Sequence, residues 1–155
     1  MHIRPAQSID LALLTALYTE RQTIVAQADP HARPPIAAPH WFNRVDGLVL
    51  VGGQPVGGYV SVWVNQWKGS TLPANTALID HMAVDAHAYY PALGRGLIDA
   101  ARAWAHDHGA TRLVALVPRY EPVSQAFWRS MRASPLDDVR DFPSFSGYKI
   151  FQVGA

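Results

Sequence analysis

Two glycines separated by one residue, Gly94 and Gly96, stand between a segment with strand character and a long amphipathic segment. Glycine has no side chain, so the backbone can approach a ligand closely at such positions. Where a helix begins, its first free amides form an anion site that the helix dipole strengthens. The amides of Leu93 to Leu97 are therefore candidate donors to a phosphate, and the side chain of Arg95 is a second candidate.

Two common phosphate-binding motifs do not fit this turn. A dinucleotide fingerprint needs a third glycine three residues after the second, and that position is Asp99. A P-loop needs Lys and then Ser or Thr after its last glycine, but Leu97 follows Gly96. Because neither motif is complete, the sequence gives little support for a nucleotide-binding α/β domain. Arg95 also lies on the polar face of the helix, so a solvated position is an alternative to a phosphate contact.

Hydrophobic periodicity predicts the elements before the turn. A short strand ends near Pro5, and Leu11, Leu14 and Leu17 recur at helical spacing after it. A proline-rich stretch over residues 30–40 then predicts a loop or a broken helix, of the kind that often builds a binding site.

A hairpin and a central strand follow this stretch. Gly52 and Gly53 supply the predicted hairpin turn, after which valines alternate with other residues from Tyr59 to Val64. The next strand, TALIDHMAVDA, is apolar apart from Asp80 and His81 near its middle.

Two helices and two strands complete the expected order. One helix runs from about Gly94 to His108 and is followed by a buried strand over residues 111–117. A second helix over Glu121 to Arg132 is expected to turn Val123, Phe127 and Met131 inward, and a last strand lies within residues 147–153.

This order predicts one α/β domain over residues 1–155. It is an α+β arrangement with a mixed, mostly antiparallel sheet, one parallel βαβ unit and helices on both faces. The absence of cysteine from the sequence excludes disulfides, thiolate metal ligands and a cysteine nucleophile.

Charge and hydropathy narrow the expected partners and location. A net charge of +1 and aromatics that do not alternate with basic runs argue against nucleic acid. The amino terminus lacks an apolar signal core and no apolar run reaches membrane-spanning length, so a cytoplasmic protein without a membrane partner is expected.

Four stretches in the same order resemble the GNAT superfamily of N-acetyltransferases. They correspond to the family's first strand and helix, its central strand, its pyrophosphate loop with the next helix and strand, and the following helix beside the pantetheine. In this sequence they are IRPAQSIDLALLTAL, IDHMAVDA, ALGRGLIDAARAWAHDHGATRLVALV and SQAFWRSM. Each motif is weak alone, but their order and spacing together are specific.

The resemblance implies transfer of an acetyl group from acetyl-CoA to a primary amine of a small molecule or peptide, by direct attack in a ternary complex. No metal is involved, and a homodimer is compatible with the family. The cofactor-binding positions that it implies are Met82, Ala83, Val84, Leu93, Gly94, Arg95, Gly96, Leu97, Ser124 and Trp128.

Three positions depart from the family pattern. Pro91 stands where the family has Gln or Arg, so one phosphate contact is lost. Glu121 replaces the usual Asn at the start of the following helix, and Trp128 replaces the Tyr that protonates the departing CoA. An indole is not an acid at neutral pH, but a thiol with a pKa of about 8.5 leaves without much help.

Asp80 and His81 are the candidate catalytic residues. In a regular strand Asp80, Met82 and Val84 share one face, whereas His81 points to the other, and a bulge would exchange the two. Asp80 is the preferred proton acceptor, with a structural carboxylate as the alternative; a hydrogen-bonded structural role is expected for His81.

Two further questions stay open at this stage. Trp41, Trp63 and Trp67 are candidates for the acceptor pocket, although core or edge packing is the simpler interpretation of each. The rival function is a non-catalytic acyl-CoA-binding or interaction module on the same fold, which Pro91 and Trp128 favour.

Overall fold

The computed structural model describes residues 2–32, 47–64, 75–85, 90–136 and 147–154. The proline-rich stretch after residue 32 lies outside these ranges, as do Trp41 and Trp67 and the predictions made for them.

Within the described residues, one seven-stranded sheet forms the centre of the molecule, in the order β1-β2-β3-β4-β5-β7-β6. The strands are β1 (Ile3–Pro5), β2 (Gly47–Gly52), β3 (Gly58–Val64), β4 (Thr76–Val84), β5 (Arg112–Pro118), β6 (Ser134–Pro135) and β7 (Tyr148–Gln152). All neighbours are antiparallel except β4 and β5. The mixed sheet with one parallel pair is therefore confirmed.

Three α-helices lie within the described residues: α1 (Leu11–Ala28), α2 (Tyr90–Asp107) and α3 (Pro122–Ser130). The prediction that α2 begins near Gly94 was wrong, because the helix begins four residues earlier and includes Pro91 in its first turn. Proline is tolerated there since the first amides of a helix have no partner within it. No helix in the described ranges is long and apolar enough to cross a membrane.

The helices cover both faces of the sheet, as expected. Apolar side chains of α2 and α3, such as Leu97 and Phe127, share one core with the valines of β3. On the other face, Leu14 and Leu17 of α1 pack against β2, β3 and β4, whereas Val25 packs against β4, β5 and β7. Helix α1 thus crosses the line where β4 meets β5.

Strands β4 and β5 pair over only part of their length. Their parallel register runs from Thr76 beside Arg112 to Ile79 beside Ala115. After that point β4 continues beside β3 to Val84, and β5 continues beside β7 to Pro118. The two strands therefore separate, and an opening forms in the middle of the sheet.

Close contact between α2 and α3 depends on Gly94. A Cβ atom at this position would lie 2.8 and 3.0 Å from two ring atoms of Phe127, and 3.7 Å from the methyl carbon of Met82. The Phe127 ring is buried, at 8% exposure, and has little room to move away. The glycine therefore sets the spacing of the two helices beside the opening.

We expect Gly94→Ala to destabilise the protein, although alanine favours a helix interior by about 1 kcal/mol over glycine. The clash with Phe127 outweighs this gain, and overpacking costs about 1–3 kcal/mol. In a Phe127→Leu background the same substitution should be neutral or stabilising. Urea denaturation of the four proteins measures both effects; destabilisation in both backgrounds would contradict the packing explanation.

Candidate active site

A cleft of about 300 Å³ lies at the opening between β4 and β5. One side is formed by the end of β4 and by α3, and the other side is formed by α1. The lining residues are Leu17, Glu20, Arg21, Ile24, Met82, Ala83, Val84, Val123, Ser124, Phe127 and Trp128. The structure thus brings together five residues that the resemblance implied, three from β4 and two from α3.

The end of β4 presents backbone groups to this cleft. Among the described residues, no strand pairs with the edge of Asp80–Val84 that faces β5. The Asp85 amide donates to the Gly57 carbonyl at 2.7 Å. In an antiparallel pair every second residue directs its amide and carbonyl toward the partner strand, so this bond shows which residues of β4 do so. The amides and carbonyls of Met82 and Val84 therefore point into the cleft, whereas those of Ala83 point toward β3.

A bulge in β4 changes the predicted alternation of side chains. Ser61 of β3 lies beside His81, but the next residue, Val62, lies beside Ile79, so Asp80 is an extra residue in β4. As a result His81 contacts α1, while Met82 packs against the core on the opposite face. The expectation that Asp80 alternates regularly with His81 and Met82 was therefore wrong.

Asp80 and His81 instead line the same small cavity. It has a volume of about 30 Å³ and adjoins the cleft, because Arg21, Ser124 and Trp128 line both. Both candidate catalytic side chains are almost fully buried. Burial, and secondly the charge of Asp80, raises the pKa of Tyr18 on α1. The charge of Asp80 therefore acts on this helix.

His81 belongs to a buried hydrogen-bond chain. The Gln22 amide nitrogen lies 2.8 Å from its Nε2, so this ring nitrogen accepts and we assign the proton to Nδ1, which contacts the Tyr59 hydroxyl. Tyr148 donates to the Gln22 carbonyl oxygen at 3.3 Å. Burial, and secondly the charge of Arg21, lowers the pKa of His81 from 6.5 to about 3. The imidazole is therefore neutral near pH 7.

A buried ion pair joins α1 to α3 across the cleft. Arg21 donates to the Glu121 carboxylate and to the Ser124 hydroxyl. Glu121 also caps α3, because it accepts from the amides of Val123 at 2.9 Å and Ser124 at 2.7 Å. Burial alone would raise the pKa of Glu121, but the hydrogen bonds from Ser124 and the nearby Arg21 charge lower it overall. The carboxylate is therefore ionised near pH 7.

Helix α3 differs from the prediction in its buried face and in its length. Phe127 is buried as expected, but Val123 is 60% exposed at the mouth of the cleft, and Ser124 and Trp128 are buried instead. The helix is shorter than predicted, since it ends at Ser130, and Met131 follows it as the cap residue. Its inward face is therefore shifted by one residue toward the cleft.

The glycine turn does not have the predicted geometry. Because α2 begins at Tyr90, the amides from Gly94 to Leu97 lie beyond the first turn and donate within the helix. Leu93 and Leu97 are buried in the core, whereas Arg95 lines a separate groove beside Arg132. These residues do not line the cleft that contains Met82 and Trp128.

Trp63, which lies within the described ranges, does not line the cleft either. Trp63 packs beside Gly47 at the far end of the hairpin and is not among the residues that line the two cavities. Within the described ranges, no group of three or more His, Asp or Glu side chains is placed to hold a metal ion.

Comparison with solved structures identifies the fold. The PaiA N-acetyltransferase from Thermoplasma acidophilum, in complex with coenzyme A, is 14% identical over 99% of this chain and 98% of its own, with a TM-score of 0.70. A ribosomal-protein-alanine N-acetyltransferase from Brucella melitensis is 20% identical over 98% and 97%, with a TM-score of 0.65. The chain has the GNAT fold.

A third structure with the GNAT fold is the aminoglycoside 6'-N-acetyltransferase from Acinetobacter haemolyticus. It is 16% identical over 92% of this chain and 97% of its own, with a TM-score of 0.69. No protein-family model matches the sequence, and no curated protein matches it. The fold prediction from the sequence is therefore confirmed by structure alone.

Sequence reasoning missed the α1 side of the cleft. Leu17, Glu20, Arg21 and Ile24 follow helical spacing and so share one face. The sequence does contain an indication of this wall. Glu20 and Arg21 are charged, yet they stand between Leu17 and Val25 on a helix face that the apolar pattern assigns to the core. The Arg21 charge could not be paired with Glu121 without knowledge of how α1 crosses the sheet.

We expect the stability of the protein to fall between pH 7.5 and pH 5.5 because of His81. Its pKa is lower in the folded state than in the unfolded state, so the stabilisation is present above pH 6.5 and is lost as the unfolded state binds a proton. The loss should be about 1.4 kcal/mol over this range.

Urea denaturation at the two pH values measures this loss. The His81→Gln variant should lose much less stability between these pH values, however stable the variant is at pH 7.5. The variant His106→Gln, at an exposed position, should show the same loss as the unmodified protein. An unchanged pH dependence in His81→Gln would show that the imidazole is not held neutral.

Proposed function

We infer that the protein is an acetyl-CoA-dependent N-acetyltransferase that acetylates a primary amine of a small molecule or peptide by direct attack in a ternary complex. The observation that carries this proposal is the cleft where β4 and β5 separate. Along one side of it lie backbone groups that no strand of the described residues pairs with. The GNAT fold of the chain and the coenzyme A complexes among its structural neighbours support it.

The free edge of β4 fits the pantetheine arm of acetyl-CoA. This arm contains amide groups, and the Met82 and Val84 backbone groups that face the cleft can hydrogen-bond to them as a further strand would. One of these two amides is also the candidate donor to the thioester oxygen, whose negative charge grows during attack. Ser124 and Trp128 of α3 line the same side of the cleft as this edge.

The pyrophosphate site differs from the one inferred from the glycines. The amides of Tyr90 and Ala92 lie in the first turn of α2, where a helix offers no acceptor of its own, and the helix dipole favours an anion beside them. Pro91 has no amide proton, so the turn offers one donor fewer than usual. Gly94 is needed for the close packing of α2 against Phe127 of α3 rather than for phosphate binding.

Asp80 is the candidate proton acceptor. An amine must lose a proton before it attacks, and the product amide forms as the carbon–sulfur bond breaks and the thiolate departs. His81 is poorly suited, because both ring nitrogens are hydrogen-bonded and its pKa is about 3. The Asp80 carboxylate lies in the cavity that adjoins the cleft and can take the proton directly or through water.

Binding of acetyl-CoA is the first test of this proposal. At a hundred times its dissociation constant, acetyl-CoA should stabilise the protein by about 2.7 kcal/mol in a thermal melt, as should CoA, whereas NAD should not. In an assay of thiol release with an amine panel, Asp80→Asn should lower kcat by about a hundredfold or more. Its stabilisation by acetyl-CoA should be unchanged.

The exposed Asp99→Asn on α2 is the matched control and should retain full activity. Stabilisation by acetyl-CoA without turnover of any amine would favour the rival, a non-catalytic acyl-CoA-binding module. Absence of stabilisation at millimolar acetyl-CoA would remove the cofactor site and the transferase proposal with it.

A further inference from the structure

The α1 wall of the cleft lies opposite the proposed cofactor side. Leu17, Glu20, Arg21 and Ile24 lie at intervals of three and four residues and line the cleft from one helix face. The free edge of β4 and helix α3 form the other side. An acceptor that approaches the thioester opposite the cofactor therefore meets this α1 face.

The positive charge on this wall is already neutralised. Arg21 is bound to the ionised Glu121 and to Ser124, and its side chain is only 18% exposed. Among the described lining residues there is no other Lys or Arg. A carboxylate or phosphate on the acceptor would therefore have to compete with Glu121 for its counter-ion.

The negative charge of Glu20 remains available. Glu20 is exposed on α1, and within the described ranges it makes no ion pair. It lines the same cleft as Arg21. A carboxylate in this position attracts a primary amine, which arrives protonated at neutral pH.

The mouth of the cleft is apolar on both sides. Ile24 of α1 is 37% exposed and Val123 of α3 is 60% exposed, and both line the cleft. Exposed apolar side chains that gather at one cleft mark a contact surface for an apolar ligand.

We propose that the acceptor is a monoamine with an apolar body. The Glu20 carboxylate binds the ammonium on entry, and the apolar body lies against Leu17, Ile24 and Val123. This inference rests on the proposed acetyltransferase function and specifies its substrate class. Amino acids are disfavoured because their carboxylate meets Glu20 and a neutralised Arg21; polyamines are disfavoured because a second ammonium meets the apolar mouth.

The test compares four amines with the full-length protein: 2-phenylethylamine, hexylamine, spermidine and lysine. The two monoamines should have kcat/KM values at least about tenfold above those of the other two. Glu20→Gln should raise KM for the monoamines about three- to tenfold with little change in kcat, because the carboxylate binds the cation before the proton is removed. Asp107→Asn, an exposed acid at the end of α2, is the matched control and should change neither constant.

The outcomes separate this inference from the function on which it rests. Stabilisation by acetyl-CoA, with spermidine or lysine as the best acceptor or with equal KM values in Glu20→Gln and Asp107→Asn, would overturn the acceptor class alone. Absence of both stabilisation and turnover would overturn the transferase function and the acceptor class together. Thermal melts of each variant with acetyl-CoA establish that the fold and the cofactor site are intact.

Discussion

The separation of β4 from β5 is the constraint on which the rest of the structure depends. Four residue pairs hold the two strands together, from Thr76 beside Arg112 to Ile79 beside Ala115. Beyond these pairs β4 remains paired with β3 and β5 remains paired with β7, but β4 and β5 no longer pair with each other. Buried backbone groups without partners are costly, so the exposed edge at Met82 and Val84 needs water or a ligand that supplies hydrogen bonds. A cleft with a free strand edge follows directly from this geometry.

The two sides of the cleft are held together by charge. Arg21 and Glu121 are a hundred residues apart in the sequence and meet because α1 crosses the sheet above the opening. Removal of either partner would leave a charge that is largely withdrawn from water, which usually costs several kcal/mol. Glu121 of this pair also caps α3. Because Arg21 is bound to Glu121, its positive charge is not available to bind an anionic substrate. One interaction thus fixes both the shape of the cleft and its charge.

Periodicity in the sequence predicted most of the fold, because alternating valines in β3 and leucines at helical spacing in α1 depend only on local pattern. The start of α2 was missed since Pro91 is compatible with a first helical turn as well as with a loop. The bulge at Asp80 and the pairing of Arg21 with Glu121 depend on contacts between distant segments. The sequence motifs indicated Met82, Ser124 and Trp128, whereas the α1 wall required the three-dimensional arrangement.

Amide hydrogen exchange with and without acetyl-CoA tests the central claim, that the cofactor binds along the free edge of β4. Exchange should slow at Met82 and Val84, whose amides face the cleft, and at Tyr90 and Ala92 in the first turn of α2. The Ala83 amide, which faces β3, should change much less and serves as an internal reference. Slowed exchange confined to other elements, such as the groove beside Arg95 and Arg132, would contradict the assignment of this cleft as the acetyl-CoA site.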